Sequence, residues 1–388
     1  MRRHASSPSL GARLRSLGIP LAVGLLAAYV IIHSPARRLA ASVLGRTTGA
    51  CYFCQSWVPP LDVLNSLSAL ALLVLVVLGA WSIAAIFDGV DYERPLVFSL
   101  TALALLSVPA SIIGGLAALV GVPLLRPPLG PLLSALPATL VVIAACRRGW
   151  RPHLRNPHIP RSPIVRLTLL LACGLLLSSA LVGALHPPTG WDPLSYHAPV
   201  AVFFWRDGDL SSFLGRAPDY AAWAHPGTAE LFFGSLRLVG GERLANLGQL
   251  PFAIAGAFAV AAFARRLGLR TAAAILAGSL FLLAPLVVGQ IQQQLNDVAA
   301  AALLMTTVSL AAAPRPAWTF PRLALLGLAL GLMTAMKLVL IPSVVALGLI
   351  VIVRAWQRSA HNPRRLLTHL LLVGAVFFIV VAPWWTRN

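Results

Sequence analysis

The feature that most constrains this chain is a succession of apolar runs, most of them long enough to cross a bilayer as a helix. The hydrocarbon core of a membrane is about 30 Å thick and a helix rises about 1.5 Å per residue, so a span needs roughly 20 apolar residues. Of the 388 residues, 58% are hydrophobic and only 11% are charged, which is too apolar for a soluble chain of this length. The pattern predicts an all-α, polytopic membrane protein.

About eleven runs are predicted to be transmembrane helices. Residues 323–353 form one apolar stretch broken only by Lys337 and Pro342, with arginines on both flanks. Because arginine marks the cytoplasmic side, this stretch is expected to cross and return as two short or broken helices that meet near Pro342. The predicted spans are residues 17–33, 66–87, 96–122, 129–145, 167–185, 245–264, 271–289, 298–313, 322–341, 342–354 and 366–383.

The charge balance fits a membrane protein and argues against nucleic acid as a partner. The net charge is +19, and the arginines fall between the apolar runs, where they set orientation. With the N-terminus in the cytoplasm, 20 arginines lie inside and 9 outside. This orientation places the long polar segment of residues 186–244 on the outer face.

The distribution of polar residues predicts three regions. Residues 1–146 form an N-terminal region of four spans, residues 147–166 a basic cytoplasmic linker, and residues 167–388 the functional membrane core. Cys51 and Cys54 form a lone CxxC pair on the outer side. This spacing is compatible with a local disulfide and with a redox or metal role, and the sequence does not decide between them.

The segment of residues 186–244 is far longer than an ordinary connection between helices, and such loops are often functional. It contains two amphipathic runs, residues 199–206 and 228–239, that are too short to span a membrane. We expect both runs to lie along the membrane interface and to cover a site there.

Candidate chemistry begins with Asp192, directly after the fifth span. It is either a general base that accepts a proton from an acceptor hydroxyl, or the cap of a helix that starts at Pro193. Tyr196 and His197 follow four and five residues later, on roughly the same helical face. His225 and Glu230 open the second amphipathic run. Each of these residues is a candidate for substrate binding or for ordinary hydrogen bonding and helix-start charge.

Two further candidates lie later in the chain. Asn296 and Asp297 follow a glutamine-rich segment at the outer start of the eighth span, and capping explains one such residue rather than the whole cluster. Lys337, the only lysine, is predicted in the outer part of the ninth span, about 22 Å along a helix from Arg322. It either contacts a lipid-linked phosphate or extends to the interface without a ligand. The absence of HxxxH and HExxH spacing argues against a zinc site.

Five motifs occur together in an order that resembles the GT-C membrane glycosyltransferases. They are GWDPLSYHAP, AHPGTAELFF, ARRLGLRTAAA, QLNDVAAAALLM and GLALGLMTAMKLVLIP. Within that superfamily the chain looks most similar to the bacterial relatives of protein mannosyltransferases and of the lipid A aminoarabinose transferase. The resemblance covers about residues 167–388.

This resemblance implies an inverting glycosyltransferase of the bacterial cytoplasmic membrane, with its active site on the extracytoplasmic face. The donor would be a polyprenyl-phosphate sugar, and the acceptor a lipid, a glycan or a protein. Membrane lipid is the remaining expected partner, and a divalent cation is left open as a cofactor. Asp192 would be the catalytic carboxylate and Lys337 would bind the donor phosphate. Asp297 matches an acidic motif position of the superfamily.

Tyr196, His197 and His225 match motif positions whose roles the resemblance leaves unassigned. The chain departs from the pattern where Pro193 takes the place of the second residue of an acidic pair. Its APWWTRN ending resembles a stretch that continues in relatives, which is typical of a C-terminally truncated member. The alternatives are a transporter or lipid flippase and a non-catalytic membrane subunit.

Overall fold

The computed structural model describes residues 63–86, 93–147, 162–186, 188, 190–211, 225–313, 318–359 and 362–387. Every regular element in these residues is helical, as predicted. The predicted first span, the Cys51–Cys54 pair and most of the basic linker lie outside the described residues. The α-helices are α1 Val63–Ile86, α2 Glu93–Val120, α3 Leu129–Arg147, α4 Pro163–Leu185, α5 Ala198–Asp207, α6 Thr228–Asn246, α7 Gln249–Arg266, α8 Thr271–Leu283, α9 Pro285–Gln290, α10 Asp297–Ala311, α11 Phe320–Met336, α12 Ile341–Arg358 and α13 Pro363–Arg387.

Helices cover the other ten predicted spans, but their lengths divide them into two groups. Six are long and apolar enough to cross a membrane: α1, α2, α3, α4, α12 with the turn before it, and α13. A seventh span results if α6 and α7, which are bent by 70° at their junction, cross together. Helices α8, α10 and α11 are apolar but have only 13, 15 and 17 residues. At about 1.5 Å per residue they rise less than the full hydrocarbon thickness. The described residues thus support six or seven spans.

Helix α2 packs against α6, α7 and α13, so the first described helices share one hydrophobic core with the later ones. Helices α11 and α13 pack closely against each other. A Cβ atom added to Gly327 would lie 2.5 Å from the carbonyl oxygen of Val373, and one added to Gly331 would lie 2.9 Å from Cβ of Val380. Small residues four positions apart allow two backbones to approach this closely.

The bundle has two chemically different ends. At one end, Glu93 at the start of α2 is shared by Arg266 from the end of α7 and Arg322 from the start of α11. The three side chains are no more than 9% exposed. Asp297 and Lys337 lie at the opposite end, where α10 starts and α11 stops. The two polar clusters, around Glu93 and around Lys337, therefore lie at opposite ends of α11.

The helix break predicted near Pro342 lies instead at Lys337. Lys337 is extended, with φ −158° and ψ 122°, and a short 3₁₀ turn, Leu338–Leu340, follows it. Pro342 lies in the first turn of α12, where a proline is tolerated because that backbone position needs no N–H donor.

The run predicted to lie along the membrane interface at residues 199–206 forms most of α5, which is buried within the protein. Every residue from Ala198 to Trp205 is buried. The indole of Trp205 donates a hydrogen bond to the carbonyl of Leu231 at 3.2 Å, and Arg237 donates one to the carbonyl of Ala198 at 3.2 Å. Helix α5 is thus an internal element packed on α6, and its aromatic side chains are buried.

Candidate functional site

A small cavity lies where α6 and α10 begin and α11 ends. Its volume is about 140 Å³. Six of the residues predicted from the sequence line it, although they come from four separate parts of the chain. These residues are Tyr196, His197, His225, Glu230, Asn296 and Lys337.

A buried histidine–glutamate pair forms one wall of the cavity. His197 Nδ1 is hydrogen-bonded to Glu230 Oε1, and the side chains are 2% and 5% exposed. Glu230 does lie in the first turn of α6, as the alternative interpretation required. Its carboxylate nevertheless points to His197, so the pair is a tertiary contact and not only helix-start charge.

The α5–α6 contact explains how the pair is positioned. His197 ends a π-helical turn, Pro193–His197, that leads directly into α5, and such turns are frequent at functional sites. Ala198 and Leu231, each adjacent in sequence to one member of the pair, accept the hydrogen bonds that hold α5 on α6. The backbone on both sides of the pair is therefore held by buried contacts.

Lys337 and Asp297 are brought into direct contact where α11 ends and α10 begins. Lys337 Nζ donates to Asp297 Oδ1, and Gln290 Nε2 donates to Asp297 Oδ2 at 3.0 Å. The lysine and aspartate side chains are 31% and 40% exposed. Asn296 Nδ2 donates to the carbonyl of Met336 at 3.3 Å, which satisfies a carbonyl at the end of α11 that has no partner within the helix.

The glutamine-rich segment has a structural role that the sequence did not reveal. Gln294 donates to the side-chain oxygen of Asn246 at 2.9 Å. Asn246 in turn donates to the carbonyls of Gly183 and His186, both at 3.2 Å. Gln294 and Asn246 are fully buried. Their network joins the ends of α4 and α6 to the segment before α10 and so supports the wall that carries Asn296 and Asp297.

Arg387 is a site residue that sequence reasoning missed. It lies at the end of α13, is 9% exposed and donates a hydrogen bond to the carbonyl of His225 at 3.0 Å. Its guanidinium lies 5.4 Å from the ring centroid of Trp384, and its charge interacts with that of Glu230. The signal in the sequence was a single arginine directly after an apolar helix with two tryptophans.

Asp192 lies outside this cavity lining, and its side chain is exposed. It precedes the π-helical turn but makes no side-chain capping hydrogen bond, so the alternative prediction of a cap is wrong in this respect. The neighbouring Gly190 lies against the segment before α10: an added Cβ would be 2.5 Å from Gln293 Oε1. The catalytic role of Asp192 stays a prediction.

Among the described side chains, no three His, Cys, Asp or Glu residues form a group that could hold a metal ion. The divalent cation left open above stays open. No protein family, curated protein or solved structure matches this chain. The likeness to GT-C enzymes therefore rests on the order and spacing of the sequence motifs.

Proposed function

We propose that this protein is a membrane glycosyltransferase that moves a sugar from a polyprenyl-phosphate donor to an acceptor, with the reaction in the cavity between α6, α10 and the end of α11. The observation that carries the proposal is the convergence of six predicted substrate-binding side chains on that one cavity. These residues were singled out from motifs far apart in the chain, and their meeting was not required by the motifs.

The charges around the cavity suit such a transfer. The leaving group is a phosphate, which a cation stabilises, and the acceptor hydroxyl must lose a proton, which needs a base. Lys337 supplies a cation to the cavity lining, and the His197–Glu230 pair supplies basic groups to the same lining. The lipid chain of the donor would extend from the cavity along the apolar bundle.

A transporter or flippase remains the second candidate because the helix pair α11–α12 is broken beside a charged residue, a common feature of transport sites. The ion pairs of the described helices favour transfer chemistry. The buried cluster around Glu93 and the ion pair of Lys337 lie at the two ends of α11, and neither lies midway along it.

The test uses the full chain reconstituted in vesicles with undecaprenyl phosphate that carries radiolabelled mannose, glucose, galactose or 4-amino-arabinose. Membranes from a strain without the gene serve as acceptor. We expect one donor to yield free undecaprenyl phosphate together with label in the acceptor fraction. If the labelled sugar moves to the other leaflet while still attached to its lipid, the protein is a flippase. If no donor yields labelled acceptor or free undecaprenyl phosphate, the proposal is contradicted.

A further inference from the structure

We infer that the buried His197–Glu230 pair is the proton acceptor of the transfer reaction, with His197 Nε2 as the atom that receives the proton from the acceptor hydroxyl. This inference rests on the proposed function and assigns a chemical role within the same cavity. Glu230 acts as the positioning residue, because it holds the imidazole and selects its tautomer.

The tautomer follows from the hydrogen bond between the two side chains. An ionised carboxylate only accepts hydrogen bonds, so Glu230 Oε1 requires a proton on His197 Nδ1. A neutral imidazole with its proton on Nδ1 has an unprotonated Nε2, which can accept a proton. A buried carboxylate bonded to Nδ1 of a catalytic histidine orients the base in this way in several unrelated enzymes.

A second observation points to a ligand beside this pair. Glu230 is 4% exposed, yet its Oε2 atom has no hydrogen-bond partner in the part of the chain that the structure describes. A buried carboxylate oxygen without a partner is costly, and such atoms in native proteins need an explanation. Glu230 lines the cavity, so a hydroxyl group of a bound sugar or acceptor supplies the missing donor.

Titratable and charged groups from several parts of the chain surround the histidine–glutamate pair. Four elements present titratable or charged groups to the pair: Tyr196 from its own turn, His225 before α6, Lys337 after α11 and Arg387 from α13. The ring centroids of Tyr196 and His197 are 4.1 Å apart. Arg387 places a positive charge near Glu230, which compensates for the burial of the carboxylate.

The reaction balances with these groups. The acceptor oxygen forms a bond to the anomeric carbon of the donor sugar while its proton moves to His197 Nε2. The bond between the anomeric carbon and the phosphate oxygen breaks, and its electron pair stays on the polyprenyl phosphate. The imidazolium then returns its proton to water. Lys337 stabilises the phosphate that leaves.

The experiment compares kcat, KM and the pH profile of transfer in the full-length protein and its variants, with the donor identified above. We expect His197→Gln to lower kcat by about 10²- to 10⁴-fold, the usual contribution of a general base, with the donor KM changed less than about twofold. Glu230→Gln should lower kcat in the same direction, because an amide can donate to Nδ1 and so favour the wrong tautomer. His186→Gln, at an exposed position, is the matched control, with activity close to that of the wild type.

The pH profile separates proton transfer from a structural role. The wild-type rate should fall on the acid side as His197 takes up a proton, and this acid limb should be absent in His197→Gln. If His197→Gln does not fold, as judged by size-exclusion chromatography and thermal unfolding, Glu230→Gln and Glu230→Asp provide the same comparison. If the wild type transfers sugar and the variants keep the same kcat and the same acid limb, the inference is overturned while the proposed function stands. Loss of transfer only in Asp192→Asn also overturns it, and assigns the proton to Asp192. Absence of wild-type transfer refutes the proposed function as well.

Discussion

Replacement of Glu93 by glutamine is a sharp test of the described fold, because this one carboxylate neutralises two buried guanidinium groups. Arg322 donates to its two oxygens at 3.2 and 2.9 Å, and Arg266 forms a further ion pair with it. Glutamine preserves the shape of the side chain but removes the charge. Two like charges would then lie close together with little access to water.

Removal of one partner from a buried ion pair costs about 3–5 kcal/mol, because the remaining charge is left uncompensated. We therefore expect Glu93→Gln to lower the free energy of unfolding by an amount in that range. Asp297→Asn is the matched control, since the side chains of Asp297 and its partner Lys337 are 40% and 31% exposed and their pair should contribute no more than about 1 kcal/mol.

The assay is reversible unfolding in mixed detergent micelles, followed by tryptophan fluorescence and far-ultraviolet circular dichroism. Both variants are measured beside the wild type at the same protein and detergent concentrations. A Glu93→Gln protein as stable as the Asp297→Asn control would refute the argument that Glu93 is the essential counter-ion of this cluster.

Three further predictions concern packing and the cavity. Gly327→Ala should destabilise the protein, because the new methyl group would meet the Val373 carbonyl at 2.5 Å; Gly348→Ala, which faces open space within α12, should be neutral or slightly stabilising by up to about 1 kcal/mol in the same unfolding assay. Asn246→Leu should cost about 1–3 kcal/mol for each buried polar group left without a partner, and a wild-type unfolding curve would contradict the network described above. Lys337→Met should raise the donor KM or lower kcat/KM by about 10- to 100-fold, because a hydrogen bond to a charged group contributes about 1.5–3 kcal/mol. The free energy of unfolding of this variant should change by less than about 1 kcal/mol, because the pair of Lys337 with Asp297 is partly exposed. Equal kinetic constants for Lys337→Met and the wild type would show that Lys337 does not bind the donor phosphate.

The positions of the helices were largely predictable. A run of apolar residues determines where a helix forms in a membrane protein, because each backbone N–H and C=O must be satisfied within the same segment. The predictions erred where neighbouring helices, and not local sequence, set the geometry. The break at Lys337 instead of Pro342 and the burial of α5 are examples, since both depend on what packs against those residues.

In the candidate site, too, some features could be predicted from the sequence and others could not. Asn296, Lys337, His197 and Glu230 were identified as unusual polar residues in an apolar chain, but their partners were not. Asp192, the first choice for catalysis, stood out through its position after the fifth span, yet the cavity is lined without it. Arg387 carried too weak a sequence signal to be chosen.

By itself, the sequence determined that this is an all-helical membrane protein with its polar residues gathered in a few segments, because hydropathy and charge act along short stretches of chain. Only the tertiary structure decided that His197 pairs with Glu230, that Lys337 pairs with Asp297, and that Arg387 closes the same region. These contacts join residues far apart in sequence, and their formation depends on the direction in which each packed helix turns its side chains.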